Sequence, residues 1–197
     1  MYESIGLLEV RSIAWGLEAA DAMVKAAPVQ FIDTFMVTPG KFVVLVHGDP
    51  SSVESSLQAG RELARDQVLD SLVLPLVHPQ VFTAVTLESQ VQQVDALGFL
   101  ETATIAAGIL SADAAAKAAD VTLLQLHLAR GIGGKTILTL SGALHEVQAA
   151  LHAAEQILEP EHALVASRIV ANPHPDLAQQ VVLSAQSEER EEPPQSE

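Results

Sequence analysis

The chain states one pattern twice, and that duplication limits what it can fold into more than any single residue does. Ile5-Gly6-Leu7-Leu8-Glu9 returns as Leu97-Gly98-Phe99-Leu100-Glu101, 92 positions later. Ala20-Asp21-Ala22, Lys25-Ala26-Ala27 and Val29 return at the same distance as Ala112-Asp113-Ala114, Lys117-Ala118-Ala119 and Val121. Further on the offset widens to 94, with Pro39-Gly40-Lys41 answered by Gly133-Gly134-Lys135 and Gly48 by Gly142. At His78-Pro79 and His174-Pro175 it reaches 96. Such a period is too long for a solenoid unit of roughly 20–50 residues, so the chain is a duplicated domain and not a repeat array. An offset that grows in two small steps places the insertions in connections and leaves the elements at constant length. Two near-copies in one chain suit a pseudo-symmetric assembly in which each copy fills an equivalent place.

Each copy reads as an ordered set of elements. Residues 5–11 form a run for a buried strand, and Ser12 stands where a helix over about 13–27 would be capped. Val29 to Val37 and Phe42 to Val46 flank Thr38-Pro39-Gly40-Lys41, a Pro-Gly turn that makes them a hairpin. Gly48-Asp49-Pro50-Ser51-Ser52 opens a second helix to about Arg65, with Val53, Leu57, Gly60 and Ala64 on one face. Ser71 to Leu76 is a fourth strand, ended by a His-Pro turn and a short helix. The second copy repeats the order as strand 97–103, helix 105–119, strand 121–129, loop 130–135, strand 136–141, helix 143–158 and strand 164–170. The expected class is therefore α+β, two tandem β-α-β-β-α-β (ferredoxin-like) domains with helices on one sheet face. The expected divisions are a first domain 1–84, a linker 85–96, a second domain 97–183 and an acidic, disordered tail 184–197.

Composition narrows the function. Domains of about 90 residues bury only about 60–65% of their unfolded surface, so they gain from leaning on other copies. With 49% hydrophobic but only 4% aromatic residues, the chain suits thin layers with close backbone approach. It has no cysteine, which excludes disulfides, thiolate metal sites and a cysteine nucleophile. The net charge is −15, of which Ser187 to Glu197 carries −4 (five Glu, one Arg), and no basic stripe is present to neutralise phosphates. Nucleic acid is thus not an expected partner. The N-terminal residues lack the basic flank of a secretory signal, and the longest uncharged run, Ser71 to Leu87, is broken by Pro75, His78 and Pro79. No membrane span is expected, and the expected location is intracellular.

Few segments invite chemistry. Ala129-Arg130-Gly131-Ile132-Gly133-Gly134-Lys135-Thr136 fits a relaxed phosphate-binding loop. Such a loop must open a helix whose terminal amides hold the phosphates. Here Ile137-Leu138-Thr139-Leu140 alternates like a strand, so a glycine-rich hairpin turn is the expectation. His145 and His152 lie two turns apart on one helix with no third ligand placed beside them, and no metal or other cofactor is expected. The repeated carboxylates Glu9/Glu101 and Asp21/Asp113 fall in separate copies and suit helix-end or interface roles better than paired acid catalysis. No catalytic residue is assigned.

The run Gly16-Leu17-Glu18-Ala19-Ala20-Asp21-Ala22-Met23-Val24-Lys25-Ala26-Ala27 and its answer Gly108 to Ala119, each following an Ile/Leu-Gly-hydrophobic-Leu-Glu strand, resemble bacterial microcompartment shell domains. The resemblance covers residues 4 to about 178, in unpermuted order twice, and is nearest to the tandem shell proteins of propanediol-utilising compartments. It implies a non-enzymatic structural tile. A homotrimer would form a pseudohexameric ring of six domains that packs edge to edge with other shell proteins, in a shell within the cytoplasm. The hairpin loops would line a central pore for small metabolites, with Thr38, Pro39 and Gly40 alternating with Arg130, Gly131, Ile132, Gly133 and Gly134. The tile edge falls on Lys25, Lys117, Asn172 and His174. The propanediol-type protein carries a cysteine where Thr38 stands, three of which would hold an iron–sulfur cluster, so the resemblance implies no cluster here. Single-domain tiles carry an edge arginine at the positions of Leu76 and Asn172. Three Arg130 side chains at a pore rim would favour anions. The alternative expectation is a shell-embedded module holding a small ligand or metal on the threefold axis.

Overall fold

A computed structural model describes residues 3–86 and 94–187. Its elements run β1 (Ser4–Val10), α1 (Ile13–Ala26), β2 (Gln30–Val37), β3 (Lys41–Gly48), α2 (Pro50–Ala64), β4 (Val68–Leu74) and α3 (Pro79–Val85). The second set is β5 (Ala96–Thr102), α4 (Ile105–Ala118), β6 (Thr122–Leu128), β7 (Thr136–Gly142), α5 (Leu144–Leu158), β8 (Leu164–Ala171) and α6 (Pro175–Ser187). The sheets have orders β2-β3-β1-β4 and β6-β7-β5-β8. All the described pairings are antiparallel, and the bulge between Phe31 and Asp33 recurs between Leu123 and Gln125. The duplicated α+β architecture expected from the sequence is present in both copies.

Two compact units emerge. One consists of Met1–His78, Thr104–Ala106 and Ala129–Lys135; the other of Pro79–Ala103, Ala107–Leu128 and Thr136–Glu197. The segment joining β6 to β7 thus belongs with the first unit, and α3 belongs with the second. In the second unit α3 lies on the edge strand β6, where the Gln80 amide behaves like a peptide group. Its Nε2 donates to Val121 O at 2.9 Å, and Leu123 N donates to its Oε1 at 2.8 Å.

In the first unit the core forms where α1 and α2 cover one face of β1 and β3, bringing together Leu8, Val10, Ala19, Met23, Phe42, Val44, Val53 and Leu57. Side chains alternate across a strand, so Gly6 and Leu8 share this face: a Cβ at Gly6 would meet Val53 Cγ1 of α2 at 2.9 Å. In the second unit Gly98 likewise faces Val147 of α5, while Leu97, on the opposite face, packs with Val181 of α6. The expectation of helices on one face is therefore corrected: each copy ends in a third helix, and α6 covers the second face of its sheet. α6 also continues to Ser187, past the expected start of the tail at 184. Residues 87–93 of the expected linker and 188–197 of the expected tail lie outside the described residues.

Helix caps differ from the expectation at one end. Ser12 occupies the N-cap of α1 but its hydroxyl makes no cap hydrogen bond. Asp49 caps α2 fully. Its carboxylate accepts from the Ser51 hydroxyl at 2.6 Å, the Ser52 hydroxyl at 2.5 Å and both backbone amides at 3.1 Å. The hydroxyl bonds, then the amides, pull its pKa down from 3.8 to about 2.

The first helix of each copy sits close on its sheet. A Cβ at Gly16 would stand 2.6 Å from Phe42 Cβ, and one at Gly108 would stand 2.6 Å from Thr136 Cβ. These are counterpart contacts, and the obstructing atoms are stems that cannot swing aside. Gly16→Ala is expected to cost about 1–3 kcal/mol of overpacking strain, seen as a lower midpoint in urea denaturation. For the cap, a carboxyl whose folded pKa is depressed stabilises fully above its ordinary pKa and loses that contribution as pH falls through the folded value. The Tm deficit of Asp49→Ala relative to the parent is thus expected at pH 5 and should shrink between pH 4 and pH 2.

Candidate pore loops

β2 and β3 are joined by a tight turn in which the Thr38-Pro39 peptide is cis and Gly40 has φ +116°. Gly40 N donates to Val37 O at 2.9 Å, leaving Thr38 and Pro39 exposed. β6 and β7 are joined by Ala129–Lys135, closed by Ile132 N donating to Ala129 O at 3.3 Å. Gly131, Gly133 and Gly134 have φ of +71°, +69° and +93°, a region open to glycine without penalty. Arg130, Gly131, Ile132 and Gly133 are exposed, and Gly134 is buried. The residue after the loop enters a strand, so no helix terminus is offered to a phosphate, in agreement with the hairpin expectation.

Both expected pore loops fall in the first unit. A Cβ at Gly134 would lie 3.8 Å from Lys41 Nζ, which puts the glycine loop against the base of the first hairpin. Lys41 itself is fixed from below, donating to Glu9 Oε1 at 2.8 Å. Glu9 stands opposite Val43 in the β1–β3 ladder, so Lys41 is its diagonal neighbour on the same face. Glu101, opposite Ile137 and diagonal to Lys135, repeats that placement in the second copy.

Arg130 differs from the expected bare cation. Its guanidinium donates to the Asp33 carboxylate of β2 and lies over the Phe35 ring, 4.7 Å from the centroid. Neither Asp33 nor Phe35 was singled out in the sequence, where 97 positions separate Asp33 from Arg130. The repeat held a signal: Arg130 answers to Thr38 and Asp33 to Gln125, so each position is charged in one copy only.

The expected edge residues are placed at helix and strand ends. Lys25 pairs with Asp21 at 2.5 Å, and Lys117 with Asp113 at 2.6 Å, each four residues apart in its helix. The repeated aspartates thus hold the repeated lysines, near the C-termini of α1 and α4 where a cation is favoured. Asn172 and its counterpart Leu76 both adopt left-handed backbone, φ +46° and +56°, and both are exposed. His174 is exposed, and its Nδ1 accepts from Asp176 N at 3.3 Å. Among the described residues no group of three or more His, Asp or Glu is arranged to hold a metal ion, and no helix is long and apolar enough to cross a membrane.

A duplicated antiparallel fold with two small-residue hairpins beside each other defines a tandem-domain protein, and known proteins identify the class. The BMC domain family matches residues 4–77 and 96–173. The bacterial microcompartment shell protein PduT of Citrobacter freundii is 38% identical over 182 residues, 92% of this chain and 99% of that one. The shell protein PduA of the same organism is 35% identical over 81 residues, 40% of this chain and 87% of its own length. A crystal structure of a microcompartment protein from Desulfitobacterium hafniense DCB superposes with a TM-score of 0.88 at 43% identity, covering 91% of this chain and 99% of that one. The chain belongs to the BMC-domain family and carries two copies of the domain in tandem. It is a structural protein of a bacterial microcompartment shell.

Removing the acid beneath the hairpin leaves Lys41 partly buried without its carboxylate. Glu9→Ala is expected to destabilise the fold by about 1–3 kcal/mol, measured by urea denaturation. Lys41→Met in the Glu9→Ala background should recover part of the loss.

Proposed function

We propose that the chain is a non-enzymatic shell tile, a homotrimer whose six domains form a ring around a pore for small metabolites. The observation that carries this reading is a difference in cover between counterpart residues. In the second unit the edge strand β6 is covered by α3, and Leu123 and Leu128 are 0% and 6% exposed. Their counterparts on β2, Phe31 and Met36, are 46% and 65% exposed. The helix that answers to α3, 96 residues on, is α6, and Leu177 there is 43% exposed where Val81 of α3 is 0%. The exposed Phe31 and Met36 of β2 and the exposed Leu177 of α6 thus correspond to the two halves of a junction already made once within the chain. Joining α6 of one copy to β2 of the next uses both, and a heterologous head-to-tail contact of this kind closes into a ring when its rotation closes.

In such a ring Thr38, Pro39 and Gly40 alternate with Arg130 to Gly134 around the axis. Glycine suits the second loop because converging backbones leave little room for side chains. Lys25, Lys117, Asn172 and His174, all exposed, are the proposed contacts with other shell proteins at the tile edge. The relatives that share the fold are named as shell proteins, which supports a structural and not an enzymatic role.

Light scattering after size exclusion tests the ring. Three chains of 20.8 kDa give a mass of about 62 kDa, and twice that mass would mean stacked trimers. Leu177→Asp on α6 or Met36→Asp on β2 should each give a folded monomer by circular dichroism. A parent protein that is itself monomeric would sink the ring, and a Leu177→Asp protein still at three chains would remove α6 from the junction.

A further inference from the structure

We infer that Asp33 sets the charge preference of the pore by cancelling Arg130, so that the opening passes uncharged polar solutes in preference to anions. This rests on the reading of the hairpin loops as pore lining. Arg130 is the one positively charged residue between the glycines of the second loop and the strand before it, and left bare three copies would draw anions toward the axis. It is engaged on two sides: the Asp33 carboxylate takes its charge, and the Phe35 face takes its plane. Lys41, the next cation along the first hairpin, is offset by Glu9 in the same way.

The duplication supplies an independent argument. The pair joins the first position of one pore loop, 130, to position 33 of the other copy's edge strand. The equivalent junction around the ring brings together the counterparts Thr38 and Gln125, both uncharged. The two junctions therefore differ in chemistry but agree in net charge. Had Arg130 been kept to attract anions, nothing would require an acid at 33 in the same copy that meets it. What remains facing the opening is the Thr38 hydroxyl, Pro39, Ile132 and the exposed glycine backbone, whose N–H and C=O groups hydrogen-bond neutral hydroxyl and carbonyl solutes. The exposed Lys135 at the end of the loop stands diagonal to Glu101, as Lys41 does to Glu9.

The test uses shells assembled with the full chain and compares efflux of glycerol, lactate and propylammonium. In the parent, glycerol is expected to leave about threefold or more faster than either ion. Asp33→Asn should raise lactate efflux about threefold or more and lower that of propylammonium, because an unpaired charge near a narrow opening acts on every passing ion. Arg130→Gln should do the reverse, and the double variant should return to the parent ratios with glycerol unchanged throughout. If Arg130→Gln instead lowers lactate without raising propylammonium, Arg130 is a bare attractor and the cancellation is overturned while the pore stands. Should Asp33→Asn fail to assemble by light scattering, the exposed Arg130→Gln decides the matter alone on the same two ions. Equal glycerol efflux from shells built with and without the chain would overturn the pore reading and this inference with it.

Discussion

The first helix of each copy can lie where it does only because a hydrogen stands in place of a side chain, at Gly16 over Phe42 and at Gly108 over Thr136. That close seat sets the depth of the layer between helices and sheet, and much else follows from it. With the helix low on the sheet, α1 contributes Ala19, Ala20 and Met23 to the layer around the single ring of Phe42, which is how a chain with so few aromatic residues closes a core. Interiors packed to crystal density tolerate little change of spacing. The same seat recurs in both copies at the same register of β3 and β7. The two hairpins that grow from those strands therefore leave their sheets at equivalent places, whatever their loops contain.

Inside, the copies are nearly interchangeable; outside, they are not. β1 and β5 keep the same glycine on the helix face, the same bulge separates Phe31 from Asp33 and Leu123 from Gln125, and the same left-handed residue follows β4 and β8. Yet Phe31 and Met36 are bare where Leu123 and Leu128 are covered. Chemistry alone does not separate these pairs, since all four are large and apolar. The proposed ring does: one junction between copies is made within the chain, where α3 covers β6, and its equivalent would join α6 to β2 between chains.

Most of the fold was legible because the elements are short, strongly patterned and repeated, so that each copy corroborated the other. Strand and helix limits fell within a residue or two where apolar periodicity was continuous, as in α1, α5 and β7. β4 begins three residues before its expected start, since Val68-Leu69-Asp70 breaks the apolar run. α6 went unread: Pro175-Asp176-Leu177-Ala178-Gln179-Gln180 sets only Leu177 and Ala178, followed by two glutamines, before Val181 and Val182. Pro175 and Pro79 at the first helical position were the available signal, since proline is favoured there. The Ser12 cap illustrates the opposite error: the residue type and place were right, and the hydroxyl is not used. At the loops the glycines and Arg130 were legible from composition, but Asp33 and Phe35 were not. An ion pair across 97 positions has no local pattern, and only alignment of the two copies exposes the matched change of charge.

That matched change bears on why a tile would be built from a duplicated chain. A ring made from six copies of one domain must repeat every junction identically, so a cation introduced into its loop appears six times, each facing the same neighbour. Duplication releases that constraint. One loop can lengthen by two residues and carry Arg130 while the other stays a tight Thr38-Pro39-Gly40 turn. The cation then needs an acid on only one of the two strand positions, and Asp33 supplies it where Gln125 does not. In the proposed ring the duplicated chain could thus vary loop length, hydrogen-bonding groups and charge at three places around an axis while the core seat at Gly16 and Gly108 keeps the two copies alike. On this view the divergence of the two loops is the functional gain from duplication, and the near-identity of the two cores is the condition that lets the loops diverge without loss of the ring.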